Sequence, residues 1–277
     1  MLLDTTAYFL YSHTQEIGST LLNKLREWLK RVAGFEATRM GFGAAAPKAK
    51  GPTMGLLVTM PSLDKKAIEA ALEAGAEALV VPAGLSGDTE ALRSAIQESP
   101  PCLWGLQIQG GQAPDPEQGF DFFLLSPSSA LSALKGEEQG RLLEVDPSWD
   151  DVQLRVLEQL PVDGLVFSLP IKGDEGLAVQ HLLAVRRLSS LLRKPLVLEL
   201  GRPLSAQDLE LLRDGGLTGL LVSTSQARWP STLKELKQAI EALPPRSRPK
   251  REMDAVLPMV PGRQALRAEE EEEEDEN

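Results

Sequence analysis

Three related stretches decide the fold: Ala76-Glu-Ala-Leu-Val-Val-Pro82, Val162-Asp-Gly-Leu-Val-Phe-Ser168 and Leu217-Thr-Gly-Leu-Leu-Val-Ser223. Each contains a continuous Leu/Val run rather than apolar and polar residues in alternation. Such runs predict strands that are covered on both faces, as in a parallel sheet. With five further runs, the predicted strands are residues 55–60, 78–82, 103–109, 120–126, 141–146, 164–169, 196–201 and 219–224. Eight strands separated by amphipathic segments predict an α/β fold, a compact (β/α)₈ TIM barrel.

The chain divides into three segments around this repeat. Residues 1–52 form an N-terminal helical appendage with a linker, residues 53–243 form the barrel, and residues 244–277 form a charged tail. The tail ends in an unbroken acidic run at residues 269–276, which has no apolar surface to bury. We therefore expect the tail to be disordered. A docking role for its apolar residues 253–260 is the alternative.

The appendage contains a basic amphipathic helix, predicted over residues 23–35. Apolar residues recur at helical spacing on one face, and four basic residues lie on or beside the other. Such a helix either packs against the barrel and covers its N-terminal end, or uses residues 21–35 to bind a protein partner or a membrane surface. The apolar set is Leu21, Leu22, Leu25, Trp28, Leu29 and Val32, and the basic set is Lys24, Arg26, Lys30 and Arg31.

Composition excludes several classes of protein. The formal net charge of −11 opposes nonspecific binding to nucleic acid, so no nucleic-acid partner is expected. A single cysteine excludes an internal disulfide and suits a reducing compartment, and we expect a cytoplasmic protein. No apolar run reaches the roughly 18–20 residues of a transmembrane helix, and the N-terminus does not have the pattern of a secretory signal.

Histidine is too scarce to supply the chemistry of a barrel of this kind. Only His13 and His181 are present, one before the barrel and the other in the helix predicted after the sixth strand. The predicted mouth of the barrel therefore has no imidazole base, no histidine-bound zinc and no Ser-His-Asp triad.

Polar residues are instead expected inside the barrel, close to the carboxyl ends of its strands. Side chains two positions apart share a face of a strand, and inward side chains of a closed barrel form layers of four from alternate strands. The odd-numbered strands would contribute one polar layer, Thr59, Gln107, Glu144 and Glu199. One step higher on the same faces come Gln109, Asp146 and Gly201, and Ser168 ends the sixth strand.

Carboxyl groups in such a layer suit acid–base catalysis. Burial and neighbouring negative charge raise the pKa of a carboxyl group, and this can make an acid and a base from two identical groups. Glu144, Asp146 and Glu199 are the candidate catalytic residues, and Thr59, Gln107, Gln109 and Ser168 are candidate substrate-binding residues. Alternatively, Glu144 and Glu199 face outward and pair with Arg141 or Arg202, or the polar layer is a structural network.

The same three carboxylates raise the question of a metal. Oxygen ligands from neighbouring strand ends suit Mg²⁺ or Mn²⁺. No spacing motif supports such a site, so no resident metal or other cofactor is predicted, with Mg²⁺ as the alternative.

Residues 195–225 resemble the last two βα units of aldolase-type phosphate-binding barrels. The seventh strand reads Leu196-Val-Leu-Glu-Leu-Gly201, followed by Arg202-Pro203, and the eighth reads Gly219-Leu-Leu-Val-Ser-Thr224. That superfamily includes flavin-dependent oxidoreductases, sugar-phosphate isomerases and aldolases, in which glycine pairs at these strand ends bind phosphate through backbone N–H groups. The resemblance implies an anion site near Gly201, Arg202, Ser223, Thr224 and Ser225. Because only Gly201 matches the glycine pairs, FMN is not expected.

These observations predict a lyase or isomerase that acts on a small anionic or phosphorylated metabolite, with proton transfer α to a carbonyl. Glu199 or Glu144 would be the base, and the other or Asp146 the acid. A non-catalytic barrel, a pseudoenzyme that serves as an interaction scaffold, is the alternative, and a flavin-dependent oxidoreductase is the third hypothesis. An open mouth that contains Glu144 and Glu199 would favour the enzyme, and a mouth plugged by apolar side chains would favour the scaffold.

Overall fold

The computed structural model describes residues 23–33, 54–83, 94, 96, 101–111, 119–136, 138–171, 176–225 and 228–244. Its strands are β1 (Gly55–Thr59), β2 (Ala78–Pro82), β3 (Leu103–Ile108), β4 (Phe122–Leu125), β5 (Gly140–Glu144), β6 (Gly164–Ser168), β7 (Leu196–Glu199) and β8 (Leu217–Ser223). All are parallel, each pairs with the next, and β8 pairs with β1 to close a barrel. The predicted (β/α)₈ TIM barrel is confirmed, and the observed strand ends differ from the predicted ones by at most two residues.

Six helices lie within the described ranges. They are α1 (Lys24–Val32), α2 (Lys65–Glu73), α3 (Asp151–Leu157), α4 (Val179–Leu191), α5 (Ala206–Asp214) and α6 (Trp229–Glu241), and a 3₁₀ turn at Leu131–Leu134 lies between β4 and β5. Among these helices none is long and apolar enough to cross a bilayer. The expectations for the acidic tail, residues 253–260 and His13 fall outside the described residues.

The interior of the barrel is filled with apolar side chains below its mouth. Gly105 allows this filling, since a Cβ at that position would lie only 2.4 Å from the ring of Phe122 on the next strand. The apolar interior separates the two ends of the barrel, and any chamber must lie above it, at the carboxyl ends of the strands. The buried inner set from the strands is Leu57, Ala78, Val80, Phe122, Leu124, Leu142, Val166, Val197 and Leu221.

Helix α1 closes the opposite, N-terminal end of the barrel. Its apolar face is buried, with Trp28 and Leu25 at most 4% exposed. The helix fits because β1 and β5 begin with glycine: a Cβ at Gly55 would lie 2.3 Å from the Trp28 ring, and one at Gly140 would lie 2.5 Å from Leu25. Burial of a tryptophan and several leucines stabilises the docked helix by several kcal/mol, at about 1.5–3 kcal/mol for each large side chain.

Acidic residues immediately before β2, β4 and β6 form hydrogen bonds and ion pairs with α1. Asp163 accepts hydrogen bonds from Asn23 (3.0 Å) and Arg26 (2.8 Å). Asp121 pairs with Lys24 at 2.7 Å, and Glu77 accepts a hydrogen bond of 2.7 Å from the Trp28 indole.

These contacts agree with the first of the two interpretations of the amphipathic helix, in which it packs against the barrel. The structure places α1 as the cover of the barrel's N-terminal end. Its apolar face is occupied by the barrel and is not available to a membrane surface or a partner helix in this arrangement.

Candidate active site at the barrel mouth

The four residues of the expected polar layer share the inner face of the barrel. Glu144 pairs in register with Val166, and Glu199 pairs with Leu221. Val166 and Leu221 both belong to the buried inner set. Because neighbouring residues in a parallel sheet point to the same side, both carboxyl groups point inward. The alternative in which Glu144 faces outward and pairs with Arg141 is therefore not the observed arrangement.

A hydrogen bond joins two members of this layer. The side-chain amide of Gln107 donates to a carboxylate oxygen of Glu144 at 2.9 Å. Thr59, the member from β1, contacts the backbone instead, and its hydroxyl lies 3.5 Å from the carbonyl oxygen of Val222.

Glu199 has a perturbed acidity. Burial of the carboxyl group raises the pKa of Glu199, and the negative charge of Glu144 raises it further. Part of the side chain is open to solvent at the mouth, so this pKa shift reflects partial rather than complete desolvation. The result is a carboxyl group that keeps its proton to a higher pH than an ordinary glutamate.

The pKa of Asp146 is shifted in the opposite direction from that of Glu199. It lies on the exposed rim, two residues beyond Glu144, and accepts a hydrogen bond of 2.8 Å from the backbone N–H of Ser148. Hydrogen bonds from the Ser148 side chain and backbone lower the pKa of Asp146. A lowered pKa means that Asp146 holds a proton less readily than an ordinary aspartate, so it is a weaker candidate for the acid than Glu199.

A cavity of about 480 Å³ opens above β5 and β6. Glu144 and Glu199 both line it, and Val166 contributes apolar surface. Of the residues expected to bind substrate, Ser168 is on the wall, at the end of β6. The full lining is Pro127, Glu144, Val145, Asp146, Pro147, Ser148, Val166, Phe167, Ser168, Leu169, Pro170 and Glu199.

Three prolines of this lining were not singled out from the sequence. Pro127, Pro147 and Pro170 follow β4, β5 and β6 by two or three residues. Proline fixes its own φ angle, and its recurrence after three consecutive strands produces a preformed rim. That recurrence is visible in the sequence and could have identified this side of the mouth.

The residues implied by the phosphate-barrel resemblance lie outside the cavity walls. Gly201 and Arg202 follow β7, and Ser223, Thr224 and Ser225 end or follow β8. At β8 the backbone donors are already used, since the N–H of Thr224 donates to the Thr59 carbonyl at 2.9 Å and that of Ser225 donates to the Ser223 hydroxyl at 3.3 Å. The two serine hydroxyls also contact each other at 2.8 Å.

Two further expectations concern residues around the mouth. Gln109 lies just past β3 with an exposed side chain and is not part of the cavity lining. Within the described ranges, no group of three or more His, Cys, Asp or Glu residues is placed to hold a metal ion.

His181 is structural, as its place in the sequence suggested. It is buried in the first turn of α4, and its Nδ1 accepts a hydrogen bond of 2.9 Å from the backbone N–H of Ala178. The imidazole thereby caps the start of the helix and does not line the cavity.

No model of a known protein family matches the chain, and no curated protein matches it. Among solved structures, the chain is similar to a mutant tryptophan synthase alpha-subunit from the hyperthermophile Pyrococcus furiosus, with 14% identity, a TM-score of 0.50, and coverage of 68% of this chain and 97% of that one. A protein from Aquifex aeolicus VF5 has 14% identity, a TM-score of 0.49, and coverage of 68% and 93%. A 3-hexulose-6-phosphate synthase has 15% identity, a TM-score of 0.48, and coverage of 67% and 99%. Likeness at this identity shows the fold alone: the chain is a (β/α)₈ barrel.

Proposed function

We propose that the barrel is an enzyme of the lyase or isomerase type that moves a proton α to a carbonyl group of a small metabolite. Glu144 acts as the base and Glu199 as the acid. One observation carries the proposal: both carboxyl groups line the cavity at the carboxyl ends of the strands, and the pKa of Glu199 is raised by burial and by the charge of Glu144.

The division of roles follows from the surroundings of each group. The hydrogen bond from Gln107 fixes one carboxylate oxygen of Glu144 and so orients this group, which suits a base. Glu199 keeps its proton to higher pH, which suits an acid. In the reaction, Glu144 removes a proton from the carbon next to the carbonyl while Glu199 donates its proton to the carbonyl oxygen. The enol then returns its O–H proton to Glu199, while Glu144 passes its proton either to carbon, as in an isomerase, or to a group that departs from the adjacent carbon, as in a lyase.

The apolar layer below the carboxyl groups supports this chemistry. Val166, beside Glu144 in the sheet, is 2% exposed and gives the cavity an apolar lining below the carboxyl groups, and Leu221, beside Glu199, is equally buried. Interactions between charges are stronger in such surroundings than in water, so a developing enolate is stabilised more by a nearby proton donor.

The open mouth of the barrel also helps to choose between an enzyme and the alternative of a non-catalytic scaffold. An open cavity with two inward carboxyl groups is the arrangement that favours an enzyme over a plugged, non-catalytic barrel. The scaffold hypothesis further relied on the helix at residues 23–35 as a recruiting surface, and the apolar face of α1 is buried against the barrel.

A phosphorylated substrate, as expected from the sequence, would need its phosphate beyond the cavity walls, toward Arg202. The β8 donors beside that position are engaged within the protein, so phosphate recognition there would depend on side chains. We therefore base the proposal on the carbonyl chemistry and not on a phosphate group.

A solvent-exchange experiment tests the proposal and does not require an identified substrate. The purified protein is incubated in D₂O with a panel of small carbonyl metabolites that includes neutral, cationic and phosphorylated members. Loss of α-proton signals is followed by ¹H NMR. We expect exchange with at least one member of the panel, and a rate at least about 100-fold lower in Glu144→Gln, the usual scale for loss of a general base.

The matched control is Glu69→Gln, which removes the same charge from an exposed position on α2. It should exchange like the wild type. Absence of exchange across the panel, or equal exchange in Glu144→Gln, would overturn the proposal.

A further inference from the structure

Exposed apolar side chains are concentrated on one side of the barrel. Among the described residues, six large apolar side chains are more than half exposed, and five of these lie on the consecutive helices α3, α4 and α5. They are Val152 and Val156 on α3, Val179 and Leu183 on α4, and Leu211 on α5. The members of each pair are four residues apart, so each pair lies on one face of its helix. Single exposed apolar residues are normal, whereas a contiguous set marks an interaction surface.

A groove between α4 and α5 makes this set contiguous. It encloses about 120 Å³, and its walls are apolar apart from Asp208. Val179 on α4 and Leu211 on α5 line it together, with the more buried Leu182 and Leu212 beside them. None of the residues that line this groove also lines the mouth cavity, so the surface is independent of the proposed function.

The surface is large enough for a stable interface. Helix α4 contacts both α3 and α5. It has 13 residues and is therefore about 20 Å long, and packed helices lie about 10 Å apart, so the three helices offer a face of roughly 20 by 30 Å. Stable interfaces bury about 800 Å² on each partner. The face is of this order once the relief of its side chains is included.

Charge is divided between the two helices that form the groove. Helix α4 carries Arg186 and Arg187 and no acidic residue. Helix α5 carries three acidic residues, and its single cation, Arg213, is buried. The groove therefore separates a positive helix from a negative one, and such a surface is complementary in charge to a second copy of itself.

We propose that this face is a homodimer interface, in which α4 of each subunit packs against α5 of the other. A two-fold axis that runs along the groove, parallel to both helices, produces this arrangement. It places the positive helix of each copy on the negative helix of the other, twice, and it buries the exposed apolar side chains of both. An antiparallel crossing of α4 on α4 would instead place arginines against arginines.

Contacts within one subunit give the expected charge pair. The Ser189 hydroxyl on α4 donates to the carbonyl oxygen of Gly215, just after α5, at 2.6 Å, so these two positions are level. Arg186 lies one turn before Ser189, Asp214 lies directly before Gly215, and both are exposed. Because rotation about an axis parallel to the helices keeps each residue at its level, Arg186 should face Asp214 of the partner subunit.

The test is the oligomeric state of the full-length protein, measured by sedimentation velocity between about 1 and 100 μM. We expect a dimer with a dissociation constant in the micromolar range or below. In Leu183→Glu this constant should rise at least about 100-fold, because the variant loses the burial of a leucine and adds an unpaired charge to an apolar interface.

The matched control is Leu131→Glu. Leu131 is also an exposed leucine, 82% accessible, but it lies in the 3₁₀ turn between β4 and β5 and not on α3, α4 or α5. This variant should dimerise like the wild type. Circular dichroism confirms that each variant is folded, which is expected because both side chains are exposed.

A charge reversal tests which helices meet. Arg186→Glu and Asp214→Arg should each weaken the dimer about tenfold, because each places like charges opposite one another, and the double variant should regain most of the loss because it restores an opposite pair. Neither residue lines the mouth cavity, so exchange in D₂O should be unchanged in all of these variants.

Each result decides the question. A dimer that Leu183→Glu dissociates, that Leu131→Glu retains and that the double reversal regains supports the inference. A wild type that is monomeric at about 100 μM overturns it, even if the face then binds an unrelated protein. Equal dimerisation of Leu183→Glu and Leu131→Glu, or a double reversal weaker than either single variant, also overturns it.

Discussion

The amide of Gln107 on β3 donates a hydrogen bond of 2.9 Å to the carboxylate of Glu144 on β5, although β4 lies between these strands. Such a contact forms only if both side chains enter the barrel at the same level. This is the arrangement in which alternate strands contribute to one layer. The bond orients the carboxylate that we propose as the base.

Removal of this bond should cost both stability and proton transfer. For Gln107→Leu we expect a loss of about 1.5–3 kcal/mol in the free energy of unfolding, the range for a hydrogen bond to a charged group, measured by urea denaturation. Exchange in the D₂O assay should fall as well. The control is Gln109→Leu, two residues further along and exposed, which should change the free energy by no more than about 0.5 kcal/mol. Equal effects of the two substitutions would contradict the role given to Gln107.

We expect the contribution of Glu199 to stability to decline as the pH rises, the opposite of what an ordinary paired carboxylate does. Because its pKa is raised in the folded state, the folded protein binds more protons than the unfolded chain between the ordinary pKa and the raised one. Its contribution is therefore most favourable below the ordinary glutamate pKa and declines as the pH rises through the raised value.

Glu199→Gln removes this penalty. The variant should gain stability relative to wild type as the pH rises from about 4 to about 7, by no more than about 1 kcal/mol because the carboxyl group is partly open to solvent. Thermal melts across this pH range provide the measurement, with Glu69→Gln as the reference. A difference between Glu199→Gln and wild type that does not change with pH would be the contrary result.

The contact between Trp28 and Gly55 predicts coupling between two substitutions. Gly55→Ala places a methyl group in the space of the indole ring and should cost about 1–3 kcal/mol, and Trp28→Ala should cost about 3–5 kcal/mol through the void it leaves. In the double variant the methyl group has room, so the combined loss should be smaller than the sum. The free energies of unfolding of the wild type, the two single variants and the double variant, measured by urea denaturation, give the coupling between the two residues. Additive losses would show that the two residues do not compete for the same space.

At position 141, replacement of arginine by lysine should lower the free energy of unfolding strongly. Its guanidinium is 4% exposed and donates to the carbonyl oxygens of Ala133, Lys135 and Gly136 at 2.5–3.0 Å. Burial lowers the pKa of Arg141, yet the group stays charged because an arginine is protonated at any physiological pH. Lysine cannot reproduce three donors in one plane, so Arg141→Lys should lose about 2–3 kcal/mol. Arg155→Lys, exposed on α3, should stay within about 0.5 kcal/mol of wild type in the same measurement.

The polar layer could be predicted from sequence because two regularities of the fold are enough to place it. Alternation along each strand and layering across alternate strands give the level and direction of Gln107, Glu144 and Glu199 before any side-chain contact is considered. The arrangement around the strand ends could not be predicted in this way. Asp146 is fixed by a turn with Ser148, and the backbone donors near Ser223 are used locally, both of which depend on loop conformation rather than on strand period.

The amphipathic helix shows a different limit of prediction from sequence. Its apolar face at residues 25, 28, 29 and 32 was evident from spacing, but spacing does not say what the face meets. The glycines that begin β1 and β5 are what admit it, together with the acidic residues before β2, β4 and β6. Those complementary features are distributed over more than 100 residues of the chain, so they acquire meaning only when the barrel brings them together.

The position of α1 sets an order of events during synthesis. The helix leaves the ribosome before the strands of the barrel, yet its binding surface includes Asp163, 137 residues after Arg26, and the strands β1 and β8 that close the barrel. A nascent chain must therefore carry an exposed tryptophan and several leucines until the last strands are made. Chaperone dependence should be concentrated in that interval, and a circular permutant that moves residues 1–52 behind residue 244 would shorten it.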